Sequence, residues 1–242
     1  MKTKILIVLC IGVAVCSCTR RSNNFKDRDS TSNAELKQTP ITTKDNSSPI
    51  ISSEIVTSTL NATEIFDRYN SAVFMIFTSD GWNQFQGSGF FINEKGLAVS
   101  NYHVFEGTGI GLELIKLSNG SRCKVKDVIA KSKEYDYIIF TVDIPWTCNY
   151  IPITNRNCKV GEKVFTIGSP RGLENTFSSG EISQLRGNHV IQINAPIDHG
   201  SSGGALINEY GEAIGITSAG YDNSGANLNF ALDISALKNH LR

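Results

Sequence analysis

A serine set among glycines is the first place in this sequence where chemistry could happen. In Asp198-His199-Gly200-Ser201-Ser202-Gly203-Gly204-Ala205-Leu206, three glycines and two serines fill five consecutive positions. A serine hydroxyl is a weak nucleophile until a base takes its proton and donors hold the oxyanion its attack creates. Glycines permit left-handed backbone and close approach of a substrate, so such a turn can aim the N–H groups of Gly200 and Ser202 at one point. The same residues also read as a plain flexible loop, and this stretch alone does not separate the two. A base must come from elsewhere, and the chain has four histidines: His103, His189, His199 and His240. His103, in Ala98-Val99-Ser100-Asn101-Tyr102-His103-Val104, follows the end of an apolar strand, where an imidazole reaches a cleft. His199 is too near Ser202 along the backbone to serve it readily and is assigned to a pocket rim or to no role. His189, after a Gly-Asn turn, and His240 are expected to be exposed. The acid is sought at Asp136, which opens the apolar run Tyr137-Ile138-Ile139-Phe140. A partly buried carboxylate there needs a partner. An imidazole N–H would supply one and would fix the tautomer that leaves the other nitrogen free as base. Asp127, Glu134 and Asp143 compete but lie in more polar or less strand-initial contexts.

The elements that must hold these residues are mostly strands. Asn61-Ala62-Thr63-Glu64-Ile65-Phe66 has the pattern of a capped short helix. After it come short apolar or alternating runs at Ala72–Thr78, Gly89–Asn93, Leu97–Asn101, Leu112–Leu117, Cys123–Ala130, Tyr137–Val142, Lys163–Ile167, Glu181–Leu185, Val190–Asn194, Ala205–Asn208, Ala213–Ser218 and Leu228–Leu232. Turn signals separate them at 93–96, 119–120 and 208–211. Many short strands with Gly-rich turns predict an all-β barrel or sandwich. Ile234 to Leu241 has helical spacing and is expected to form a C-terminal helix.

The whole chain narrows the class further. It has 242 residues, 40% hydrophobic and 19% charged, with a formal net charge of zero. A neutral chain without basic runs gives no reason to expect nucleic acid as a partner. Met1-Lys2-Thr3-Lys4 followed by the apolar Ile5 to Val15 is too short to span a bilayer but suits a signal peptide. Val15-Cys16-Ser17-Cys18 resembles a bacterial lipoprotein signal with Cys18 as the lipidated residue, so residues 1–18 are read as a lipoprotein-type signal. That predicts an exported protein of the cell envelope, held on a membrane by an N-terminal lipid anchor. Residues 19–58, rich in Ser, Thr, Asn, Asp and Lys, are read as a disordered polar tether. Residues 59–242 are then the folded domain. Cys123, Cys148 and Cys158 remain beyond the signal; Cys148 and Cys158 could pair, and three unpaired thiols are the other reading. No second His or Cys stands at ligand spacing from His103, so neither metal nor cofactor is expected.

Taken together, these motifs resemble the chymotrypsin-like serine proteases, in which His, Asp and Ser follow one another in this order, and most closely the HtrA/Deg-type branch. Gly87-Ser88-Gly89-Phe90 is similar to that family's strand before the His, Ser100–Val104 to its His motif and Asp136–Ile139 to its Asp motif. Ile167-Gly168-Ser169-Pro170-Arg171-Gly172 and Ser179–Ser183 resemble its activation and specificity loops, Gly200–Leu206 its nucleophile motif and Phe230-Ala231 its last strand. The resemblance implies two packed six-stranded antiparallel β-barrels with the site in the cleft between them. It implies a His103–Asp136–Ser202 triad acting through an acyl-enzyme, an oxyanion hole from Gly200, Ser201 and Ser202, and polypeptide substrates. The chain departs from the family at Ser201, where Asn is usual, at His199, where Arg is common, and at Asn229, where Gly is usual. A substrate pocket drawn from Pro196, Ile197, His199 and Asn229 holds no acid, so small or aliphatic residues are expected before the cut. No PDZ-mediated partner is expected. Gly-x-Ser-x-Gly also occurs in α/β-hydrolases, but there the His follows the Ser, and only His240 does so here. A catalytically silent peptide-binding lipoprotein is the alternative from another class.

Overall fold

The computed structural model describes residues 58–109, 111–169, 172–173, 175–218 and 228–241. All of them fall within the unit Glu54–Arg242. Residues 1–57, which hold the expected signal, Cys18 and all but the last residue of the expected tether, lie outside the described residues.

The domain opens with α1 (Ala62–Tyr69), started by a capping box. The Asn61 side chain accepts the Glu64 N–H at 3.0 Å and the Glu64 carboxylate accepts the Asn61 N–H at 2.8 Å. Two N–H groups without intrahelical partners are thereby satisfied, as the sequence pattern predicts. Thirteen strands follow among the described residues. The first seven are β1 (Val73–Ser79), β2 (Gln84–Phe91), β3 (Leu97–Ser100), β4 (Leu114–Lys116), β5 (Arg122–Cys123), β6 (Val125–Ser132) and β7 (Tyr137–Val142). They form one antiparallel sheet in the order β5-β4-β1-β2-β3-β7-β6. The other six are β8 (Lys163–Gly168), β9 (Thr176–Arg186), β10 (Val190–Ile193), β11 (Ala205–Asn208), β12 (Ala213–Thr217) and β13 (Asn229–Asp233), which close into a barrel in the order β10-β13-β12-β11-β8-β9.

The all-β, two-unit fold is the one expected, with two differences in the first unit, which has an extra strand and is an open sheet rather than a closed barrel. That unit has seven strands rather than six, because the expected strand Cys123–Ala130 is interrupted at Lys124. There the buried Glu113 carboxylate accepts the Val125 N–H at 2.9 Å and the Gly111 N–H at 2.6 Å, in place of a ladder bond. The sheet's end strands, β5 and β6, are consecutive in the chain but not paired. The C-terminal segment Ile234–His240 is helical as expected but wound as a 3-10 helix, started by the Asp233 side chain accepting the Ser235 N–H. Among the described residues no helix is long and apolar enough to cross a membrane.

Alternation along the strands sorts side chains between cores. In β7, Ile138, Phe140 and Val142 enter the first sheet's own core with Phe74, Ile76 and Phe91, while Tyr137 and Ile139 face the other way. Those two join Val73, Phe90 and Val99 against Phe165, Ile167, Ala205, Ile207 and Ile216 of the barrel, with Ile65 and Leu237 closing the cluster. Val164, Leu206 and Ile214 alternate inward to the barrel's interior. An apolar seam thus joins sheet to barrel, and the residues of interest stand on strand ends beside it.

Candidate active site

His103 opens a short 3-10 turn, His103–Phe105, just beyond β3. Asp136 precedes β7, and β3 and β7 are paired, Ser100 opposite Ile138. This register brings the two side chains together. His103 Nδ1 lies 2.7 Å from Asp136 Oδ2, and the His103 backbone N–H donates to Asp136 Oδ1 at 2.9 Å. One carboxylate therefore fixes both the ring and the backbone of the histidine. With Asp136 ionised, Nδ1 carries the proton and Nε2 is left as the acceptor. Asp136 adopts φ +55, unusual for a residue other than glycine. Asn101, fully buried, holds it there by donating from Nδ2 to the Asp136 carbonyl at 2.9 Å. The pair is only partly shielded, with side chains 43% and 32% exposed for His103 and Asp136. Among the described residues, Asp127, Glu134 and Asp143 form no hydrogen bond or ion pair with His103; Asp127 is engaged by Thr141.

Ser202 lies in the turn before β11, half-buried, with its carbonyl accepting the Ser88 N–H at 2.8 Å. That bond ties the barrel's serine loop to β2 of the first sheet. Gly87, its neighbour in β2, is where size matters. A Cβ there would fall 2.6 Å from the Val104 side chain and 3.2 Å from the Ser202 carbonyl. The missing side chain lets the Ser202 loop and the residue after His103 share one spot. No hydrogen bond joins His103 to Ser202 among the described residues. Catalytic hydrogen bonds are often long without substrate and tighten when it binds.

The turn's amides correct one expectation. The Ser201 N–H donates to the Asp198 carbonyl at 3.0 Å, so it is committed within the turn and is not free for an oxyanion. Gly200 and Ser202, on either side, have amides that donate to nothing among the described residues. Gly200 (φ +94) and Gly203 (φ +88) adopt backbone only glycine takes easily.

The expected pocket residues are only partly together. Asn229 is buried and donates from Nδ2 to the Ala195 carbonyl at 2.8 Å, so it pins the 195–197 segment to β13 rather than projecting into open space. The Pro196 carbonyl accepts the Ser178 hydroxyl at 2.7 Å, and Ile197 packs on the barrel core. His199 is exposed, its N–H turned to Asp198 Oδ1 at 2.7 Å. His189 and His240 are exposed as expected, in ring contact with Tyr135 and Tyr137. A cavity of about 380 Å³ behind Asp136 is lined by Asn101, Tyr135, Val190, Ser218 and Phe230. Sequence reading missed Gln86, Ser88 and Asn101, which touch or position these groups. A serine between two glycines inside an apolar strand, and an asparagine at a buried strand end, were the available signals. The suggested Cys148–Cys158 pairing is not made, and all three cysteines are free. Cys148 packs on the first sheet's core and donates to the Asn93 carbonyl, whereas Cys158 packs on the barrel's.

Residues 87–216 match the sequence profile of the trypsin-like peptidase domain. Over 160 residues the chain is 33% identical to a probable periplasmic serine endoprotease DegP-like of Rhizobium meliloti (strain 1021), covering 62% of this chain and 31% of the relative. Over 165 residues it is 33% identical to the periplasmic serine endoprotease DegP of Salmonella typhimurium, covering 63% and 34%. The solved serine endoprotease from Yersinia pestis superposes with a TM-score of 0.67 at 26% identity, covering 74% of this chain and 64% of that one. The chain thus spans about a third of the length of the curated relatives it matches.

Proposed function

The chain belongs to the trypsin-like peptidase domain family, and from that premise we propose that it is a serine endopeptidase with His103, Asp136 and Ser202 as its catalytic triad. The observation that carries the proposal is the double grip of Asp136 on His103, at 2.7 and 2.9 Å. It leaves Nε2 as the base. In the proposed reaction His103 takes the proton of the Ser202 hydroxyl as Oγ attacks a peptide carbonyl. The oxyanion is received by the N–H groups of Gly200 and Ser202. His103 then gives its proton to the leaving amine, an ester remains on Ser202, and water activated by the same imidazole releases the acid. Asp136 keeps its charge throughout and stabilises the imidazolium.

Exported or unfolded polypeptides are the proposed substrates, in keeping with the periplasmic endoproteases among the relatives. Residues 1–18 would act as a lipoprotein signal with Cys18 as the anchor, residues 19–58 as the tether and residues 59–242 as the protease domain. The proposed preference is for small or aliphatic residues before the cut, since none of Pro196, Ile197, His199 and Asn229 is an acid and the Asp198 carboxylate among them is engaged by the His199 N–H. A peptide-library profile dominated by Arg or Lys would reject that preference. The absence of a hydrogen bond between His103 and Ser202 is the one observation that favours the rival, a silent peptide-binding protein. Reaction of the full chain with a fluorophosphonate decides between them: labelling at Ser202 supports the endopeptidase, and an unlabelled yet folded chain supports the rival.

A further inference from the structure

β2 does more than pair with its neighbours in the sheet. Ser88, fully buried, directs its N–H and its hydroxyl across the boundary between sheet and barrel and keeps its carbonyl within the sheet. Its N–H donates to the Ser202 carbonyl at 2.8 Å, and its carbonyl accepts the Ser100 hydroxyl at 2.7 Å. Its hydroxyl accepts the Ser169 N–H at 2.9 Å and donates to the Gly200 carbonyl at 2.8 Å. Two residues earlier on the same face, the Gln86 carboxamide donates to the Ser169 carbonyl at 2.5 Å and lies 3.5 Å from the Gly200 carbonyl. A Cβ on Gly200 would fall 2.9 Å from the Gln86 carboxamide and from the Ser169 carbonyl, so these groups also pack against the loop.

We infer that the Ser88 hydroxyl is a positioning residue for the oxyanion donors, holding the Gly200–Ser201 peptide from the first sheet through a Ser169 N–H, Ser88 hydroxyl, Gly200 carbonyl chain. The inference rests on the endopeptidase reading above. A peptide is planar, so fixing the Gly200 carbonyl also fixes the Ser201 N–H on the opposite side, where it meets the Asp198 carbonyl. The two free amides, Gly200 and Ser202, flank this peptide and take their relative direction from it. A peptide free to turn over would point its N–H elsewhere and upset both neighbours. Each bond in the chain polarises the next, so losing the middle hydroxyl costs more than one contact. It also strands the buried Ser169 N–H and one lone pair on Gly200. Ser88 touches neither His103 nor Asp136 in any hydrogen bond, so base strength is outside its reach.

The test compares the full chain with Ser88→Ala, which removes the hydroxyl, and Ser88→Cys, which keeps a weak donor in similar volume. Each is assayed for fluorophosphonate labelling rate, kcat and KM on a fluorogenic peptide, the pH dependence of kcat/KM, and thermal midpoint. Ser88→Ala is expected to lower kcat and labelling about 10- to 100-fold, short of or equal to the loss of a whole oxyanion donor. KM should stay within about threefold and the pH profile should keep its midpoint, as expected for an effect confined to the transition state. Ser88→Cys should lie between. A role confined to stability would lower the thermal midpoint and leave kcat per folded molecule unchanged. That result, or wild-type labelling by Ser88→Ala, overturns the inference. Should Ser88→Ala fail to fold, Ser88→Cys decides alone: reduced kcat at unchanged KM supports the inference, and wild-type kcat refutes it. An unlabelled wild type defeats the endopeptidase reading and the inference with it, an outcome distinct from equal labelling of wild type and variant.

Discussion

Asp136 is held by hydrogen bonds at its carbonyl and at both carboxylate oxygens, and those two oxygens have separate duties. Oδ1 accepts the His103 backbone N–H and Oδ2 meets Nδ1. In Asp136→Asn the amide oxygen can keep the backbone bond, but the amide nitrogen then points a donor at the ring. The ring proton moves to Nε2 and the base is lost. The expected result is a fall of roughly 10⁴-fold in kcat with an unchanged thermal midpoint. Kinetics and a melting curve on the same preparation check it; near-wild-type turnover would remove Asp136 from the mechanism. The three residues of the proposed triad stood out in the sequence because each interrupts its surroundings chemically: an acid opens an apolar strand, a histidine follows one, and a serine stands among glycines. Asn101 and Ser88 were not, since their importance lies in hydrogen bonds to backbone atoms 35 and 112 positions away in the chain. The Ser201 amide was misread for a related reason, because residue type says nothing about where a turn spends its N–H groups.

At the scale of elements, the capping box of α1 and the glycines of the serine loop give the clearest expectations. Asn61→Ala removes the acceptor for the Glu64 N–H and should cost about 1 kcal/mol in urea unfolding, without effect on peptidase activity per folded molecule. Gly203→Ala should be far more damaging. Gly203 combines φ +88 with a Cβ position occupied by the Ser88 carbonyl and the Ser100 hydroxyl. Strain and overlap together should cost more than about 2 kcal/mol, read from the urea midpoint, and should abolish activity in whatever fraction folds. Strand centres were predictable from apolar alternation, as at Leu97–Ser100 and Tyr137–Val142. The polar starts of β2 (Gln84-Phe85-Gln86) and β9 (Thr176 to Gly180) were not. They are strands because β1 and β8 lie alongside and supply ladder partners, which no local pattern encodes. The break at Lys124 was hidden for the same reason, since the Glu113 carboxylate takes the Val125 N–H from twelve residues away.

At the scale of the whole domain, the described residues form three apolar clusters, one of them shared between sheet and barrel. Phe74 sits in the sheet's own core, 1% exposed, with its ring 4.8 Å from that of Phe91 and 6.4 Å from that of Phe140. Phe74→Ala should cost about 3–5 kcal/mol, measured by denaturant unfolding. Solution pH should be felt through the thiols. Burial first, then Asp233 and Glu162, push the Cys158 thiol from its ordinary 9.0 up to about 11. The unfolded chain therefore loses this proton before the folded one does. The contribution is complete below about pH 9 and is lost as pH rises toward about 11. Between those values the stability of the wild type should fall more steeply than that of Cys158→Ala, and parallel curves would contradict the assignment. The central claim, a working triad of His103, Asp136 and Ser202, is tested most directly by treating the full chain and Ser202→Ala with a fluorophosphonate probe and with casein. Labelling and cleavage by the wild type and neither by Ser202→Ala is the predicted result. A folded wild type that neither labels nor cleaves, or a Ser202→Ala chain that still cleaves, would contradict it.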